Sequence, residues 1–129
     1  MNERTKVSSG SPFEPIYGYS RAVRVGDRVL VAGTAPVWPD GSCDPDAGVQ
    51  AARCLEIIVT ALEEVGAGPE HVVRTRMFVS SADYSNDVGR AHSEFFGEAR
   101  PASTMVVTQL LDPRWLVEIE ADAILPPGQ

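Results

Sequence analysis

Cysteine, basic clusters and long apolar runs are all scarce in this 129-residue chain. Its two thiols, Cys43 and Cys54, make neither a disulfide framework nor a metal site. No stretch approaches the roughly 20 apolar residues that a membrane helix needs, so no membrane partner is expected. The formal charge of −7, from 11 basic and 18 acidic residues, repels phosphate backbones at long range. With no run of Lys or Arg to offset it locally, nucleic acid is a disfavoured partner. The first twenty residues mix both charge signs and lack the apolar core of a secretory signal, which leaves a cytoplasmic protein as the expectation.

Several chemical signatures are missing as well. There is no Walker-type run and no GxGxxG after a strand, so no phosphate-cradling loop is expected. There is no HExxH, and His71 and His92 are too isolated to pair on a metal. Neither serine-rich segment fits a strand-to-helix elbow, which argues against triad hydrolysis. No metal constellation is expected.

What remains is a soluble composition, 43% hydrophobic and 22% charged, long enough for one core. Residues 1–15 are polar and read as a flexible lead-in, and residues 16–126 read as a single domain. Two strand-like runs, 17–25 and 28–34, flank the Gly26-Asp27 turn and predict a hairpin. Asp44 before Pro45 predicts a helix start. Val49, Ala52, Leu55, Ile58, Leu62 and Val65 then give an apolar stripe that stops at "GAGP". A strand is predicted over 72–80, a shorter helix over 84–97, and two strands over 102–109 and 115–124. The order β-β-α-β-α-β-β predicts an α+β fold, a mostly antiparallel sheet with two helices on one face. Apolar residues on both sides of the short strands leave the second face to be covered by another subunit.

Two charged rows carry the candidate chemistry. In "VEIEADA" the acids Glu118, Glu120 and Asp122 alternate with apolar residues, placing about three negative charges within roughly 14 Å on one sheet face. Such a row is either a solvated surface or part of a site, and a strand glutamate whose pKa is lifted by burial can act as a general base for water. Arg74 and Arg76 alternate in the same way along their own strand. If the two strands are neighbours, the rows pair across the sheet.

The stretches "RVLVAGTAP" (28–36), "VVRTRMFVSSADY" (72–84), "RPASTMVV" (100–107) and "LVEIEADA" (116–123), in this order and spacing, closely resemble the Rid (YjgF-like) family of reactive-intermediate deaminases. The resemblance covers nearly all of residues 17–124. It implies a chorismate-mutase-like fold and a homotrimer whose sheets form a central barrel, with small-molecule clefts between subunits. In the best-known branch an enamine or imine, such as 2-aminoacrylate or 2-iminopropionate, loses ammonia to water without a cofactor. An arginine holds the substrate carboxylate, and a glutamate with a backbone carbonyl positions the water.

Carried over by motif, the cleft aromatic falls on Tyr19, the turn glycine on Gly33, the water-orienting glutamate on Glu118 and a backbone contact on Met105. The family's Pro-Ala-Arg reads Pro101-Ala102-Ser103 here, so a bidentate carboxylate fork has become a short hydroxyl. Arg76 is the candidate to supply an anion grip instead. Two readings follow: a diverged hydrolase that uses Glu118 on an enamine, imine or similar activated substrate, or a non-catalytic trimeric protein that binds a small molecule. A ribonuclease reading, attached to some members of the family, is weakened by the net charge.

Overall fold

The computed structural model describes residues 3–128. Strands β1 (Arg4–Val7), β2 (Ala22–Val25), β3 (Arg28–Thr34), β4 (Val72–Val79), β5 (Ala102–Val107) and β6 (Val117–Ile124) form one sheet in the order β1-β2-β3-β6-β4-β5. All neighbours are antiparallel except β4 and β5, which run parallel. That parallel pair needs a crossover, and helix α3 (Ser85–Phe96) supplies it. Helix α2 (Ala47–Glu64) connects β3 to β4, and a short helix α1 (Phe13–Tyr17) lies between β1 and β2. No helix among the described residues is long and apolar enough to cross a membrane.

The alternation in β6 dictates the layering. Val117, Ile119, Ala121 and Ala123 are buried on the helix-covered face, whereas Glu118, Glu120 and Asp122 are half-buried on the other. Val29 and Val31 of β3 and Thr75, Met77 and Val79 of β4 extend the covered face. Against them α2 lays Ala51, Cys54, Leu55, Ile58, Ala61 and Leu62, and α3 adds Val88 and Phe96. Each fully buried Val, Leu, Ile or Phe contributes roughly 1.5–3 kcal/mol relative to exposure, so this layer supplies most of the driving force.

The helical stripe is rotated slightly from the sequence expectation. Val49 is exposed, and the covered face runs instead through Ala47, Ala51, Cys54 and Leu55. The cap also moves two residues, because Asp46 rather than Asp44 accepts the backbone N–H of Val49, at 2.9 Å. Asp44 is used differently. Its carbonyl accepts the side-chain amide of the fully buried Gln50 at 2.7 Å, and the same amide nitrogen donates to the carbonyl of Arg114 at 2.9 Å. Gln50 Oε1 in turn accepts the N–H of Leu116 at 2.7 Å. This buried amide fastens the start of α2 to the segment entering β6, and so fixes where Glu118 begins.

The lead-in expected over residues 1–15 contains two ordered elements. Residues Arg4–Val7 pair with β2 from Arg4↔Val25 to Val7↔Ala22, and Arg21 N–H donates to the Val7 carbonyl at 2.8 Å. "RTKV" escapes a sequence reading because only Val7 turns inward, too short a run to show a period. Helix α1 replaces the first part of the strand expected from residue 17, and Gly18 ends it at φ 76°, a left-handed conformation that glycine adopts freely. The Gly26-Asp27 turn joins β2 and β3 as expected, with Val25 opposite Arg28.

Candidate functional site

Side chains opposite one another in register share a face. Phe78 is opposite Glu118, Arg76 opposite Glu120, and Arg74 opposite Asp122, so all six lie on the face that the helices leave open. The acid row is divided between two arginines. Arg76 lies 3.9 Å from Glu120 and 3.7 Å from Asp122, each partner partly exposed. Surface pairs of this kind contribute about 0–1 kcal/mol, and here they chiefly keep like charges from repelling.

Glu118 belongs to the other arginine. Between Val31 and Thr34 the pairing of β3 with β6 shifts register, and Gly33 sits in that irregularity. The bulge leaves the Gly33 carbonyl to accept Arg21 Nη2 at 2.9 Å. The Glu118 carboxylate packs directly onto the Gly33 Cα: a Cβ at this position would overlap Oε2 of Glu118. The absence of a Cβ is what lets the carboxylate seat this close to the strand. Burial pushes the Glu118 carboxyl above the ordinary carboxylate range, the Arg21 charge pulls it back, and the neighbouring Glu120 adds to the rise.

Arg21 is itself buried, with its Cζ 5.8 Å from the centre of the Tyr19 ring. That distance fits a cation–π contact that holds the guanidinium in place. Tyr19, 39% exposed, leaves an edge free to meet a ligand. Tyr19 also rims a broad depression of about 920 Å³ on the open face, which Lys6, Leu30, Glu120 and Asp122 help to line.

Of the residues singled out in the sequence, Gly33 and Glu118 meet directly, Tyr19 is linked to them through Arg21, and Arg76 lies on the same face as Glu118. Ser103 and Met105 do not join them. They stand opposite Thr75 and Met77, on the helix-covered side of β5, with β4 between β5 and β6. Met105 packs half-buried against the core, and Ser103 is exposed at the sheet edge. Arg100 precedes β5 with φ 49°, its N–H donating to the Phe96 carbonyl at 2.8 Å.

Three side chains make specific contacts that the sequence does not signal. Arg21 acts through the β3 bulge, which periodicity does not encode. Thr75 Oγ1, wholly buried, lies 2.8 Å from His92 Nε2 and donates to Ser103 Oγ at 2.8 Å. His92 packs against the Phe96 ring at 5.0 Å, and burial holds its pKa below the ordinary value. His71, by contrast, accepts the Gly68 N–H at Nδ1, 3.0 Å, and closes a turn. Among the described residues no group of three or more His, Cys, Asp or Glu is placed to hold a metal ion.

Comparison with known proteins identifies the family and the fold. Residues 10–125 match the family model described as endoribonuclease L-PSP. An uncharacterised protein of Streptomyces coelicolor is 42% identical over 122 residues, spanning 92% of this chain and 90% of its own length. A RutC family protein of Pyrococcus abyssi is 34% identical over 112 residues, spanning 85% and 88%. The crystal structure of Rv2704 from Mycobacterium tuberculosis, a member of the YjgF/YER057c/UK114 family, superposes with a TM-score of 0.87 at 46% identity, over 95% of this chain and all of that one. The chain belongs to the endoribonuclease L-PSP family, to which the names RutC, YjgF and Rid also refer.

Proposed function

We propose that this protein is a cofactor-independent hydrolase that attacks the C=N bond of a small imine, or of the imine tautomer of an enamine, with water. Glu118 is the base. It takes a proton from the attacking water as the new C–O bond forms and the C=N electron pair moves to nitrogen, and returns it to that nitrogen to give the carbinolamine; it then carries the carbinolamine hydroxyl proton to the nitrogen as the carbonyl forms, the C–N bond breaks and ammonia leaves. The observation that carries this reading is the half-buried Glu118 carboxylate seated on Gly33 beside Arg21, with its pKa lifted by burial.

The clefts lie between copies of the chain in a homotrimer. Ser103 and Glu118 face opposite sides of one sheet, so a site that uses both takes them from two copies. The open face also exposes Leu30, Val106 and Ile124 beside its charged rows, an apolar content suited to a second copy. With Ser103 where the resemblance expects an arginine, the substrate group held there is uncharged, and the standard carboxylate-bearing imino acids are poor substrates. Substrate contacts on this reading are Tyr19, Gly33, Ser103 and Met105, while Arg76 is committed to Glu120 and Asp122. A net charge of −7 works against an RNA substrate.

A second reading, a trimeric protein that binds a small molecule without turning it over, is favoured by the same serine. An amino-acid oxidase acting on an amino amide or on the matching amino acid supplies both imines in situ. Faster carbonyl release from the imino amide with protein present supports hydrolysis; release at the uncatalysed rate from both supports the binding reading.

A further inference from the structure

A buried hydroxyl is satisfied by one hydrogen-bond partner, yet Thr75 has two, and they lead in opposite directions. One is the imidazole of His92, half-buried and fixed against Phe96. The other is Ser103, which is exposed. The three residues come from α3, β4 and β5 and make a continuous chain from an ionisable ring to the protein surface.

From this geometry we infer that Ser103, Thr75 and His92 form a hydroxyl relay whose outer end binds a small neutral carbonyl or carboxamide group. Thr75 carries a single hydroxyl proton, so the chain points one way at a time. In one state His92 Nε2 donates to Thr75, Thr75 donates to Ser103, and the Ser103 O–H is left to donate outward to a carbonyl oxygen. In the other, Ser103 donates to Thr75 and Thr75 to the Nε2 lone pair, so the Ser103 oxygen accepts an amide N–H. The two states differ in the imidazole tautomer and in the direction of the two hydroxyl protons, and involve no change of charge. A neutral group with both a donor and an acceptor suits either state. A carboxylate has no donor and gains no compensating charge from the relay. The chain polarises along its length, so a ligand at Ser103 is felt at His92.

The inference rests on the cleft reading only in placing Ser103 at a ligand, and its test does not depend on turnover. Protein carrying ¹⁵N-labelled histidine is titrated with pyruvamide and, separately, with pyruvate. Pyruvamide is expected to move the His92 ring resonances while His71, which closes a separate turn, stays still. Thr75→Val keeps a similar volume but cuts the chain, and is expected to abolish the His92 response and weaken pyruvamide binding about two- to tenfold. Ser103→Ala, at an exposed position, repeats the test should Thr75→Val not fold. No His92 response to pyruvamide, an equal response to pyruvate, or unchanged binding in the variants would overturn the relay. Loss of turnover with the His92 response intact would overturn the hydrolase reading alone.

Discussion

Arg21 Nη2 donates to the Gly33 carbonyl at 2.9 Å, and the same guanidinium is the positive charge that restrains the Glu118 carboxyl. One buried side chain thus shapes the β3 bulge and tunes the acid beside it. Arg21→Met keeps the apolar stem and removes both effects. The Glu118 carboxyl is expected to titrate at higher pH in the variant, followed by its ¹³C resonance. Stability is expected to fall by about 1–3 kcal/mol as the Gly33 carbonyl loses its partner.

Gly33→Ala separates position from stability. The added Cβ meets only the far end of the Glu118 side chain, which can swing away, so the fold is expected to lose less than about 1 kcal/mol in urea. The displaced carboxylate no longer meets the reacting water, and turnover of the imino amide is expected to fall at least about tenfold, since small misplacements cost heavily in rate.

The raised pKa of Glu118 also predicts a slope of stability with pH. A carboxyl that holds its proton more tightly when folded favours the folded state below its unfolded pKa, near 4.3. That contribution is lost as pH rises through the higher folded value. Relative to Glu118→Gln, which does not titrate, the wild-type protein is therefore expected to lose stability as pH climbs through this window. Denaturant midpoints of the two proteins, measured at stepped pH, give the difference; a constant gap would mean that burial does not shift the group.

Ser103→Arg tests what the serine changed. Ser103 is exposed, so a guanidinium has room, at the cost of one hydrogen bond from Thr75 worth about 1 kcal/mol. The variant is expected to gain activity on 2-iminopropionate, read as pyruvate release, and to lose it on the imino amide. Silence of the variant on both would place the barrier elsewhere in the cleft.

The strands and the face that holds Glu118 are legible in the sequence because strict alternation over Val117–Ile124 leaves one arrangement that buries the apolar set. Gly26-Asp27 marks its hairpin for an equally local reason. Arg4–Val7 is not legible, since one inward valine carries no period, and its pairing is earned only against β2. Nor is Arg21, whose role depends on a register shift in a strand a dozen residues further on. The contact of Ser103, Thr75 and His92 spans 17 and 28 residues of sequence and exists only once the α3 crossover sets β5 beside β4. Local patterning fixes elements and faces; bulges and crossovers decide which side chains meet.

On the proposed mechanism, Glu118 activates water against a C=N bond. The most direct test compares wild type with Glu118→Gln on an imino amide generated in situ, reading carbonyl and ammonia release together. Wild type is expected to accelerate equimolar release, and Glu118→Gln to reduce that rate at least about a hundredfold, the usual scale for losing a general base. Equal rates in the two proteins, or none above the uncatalysed reaction in either, would contradict that mechanism.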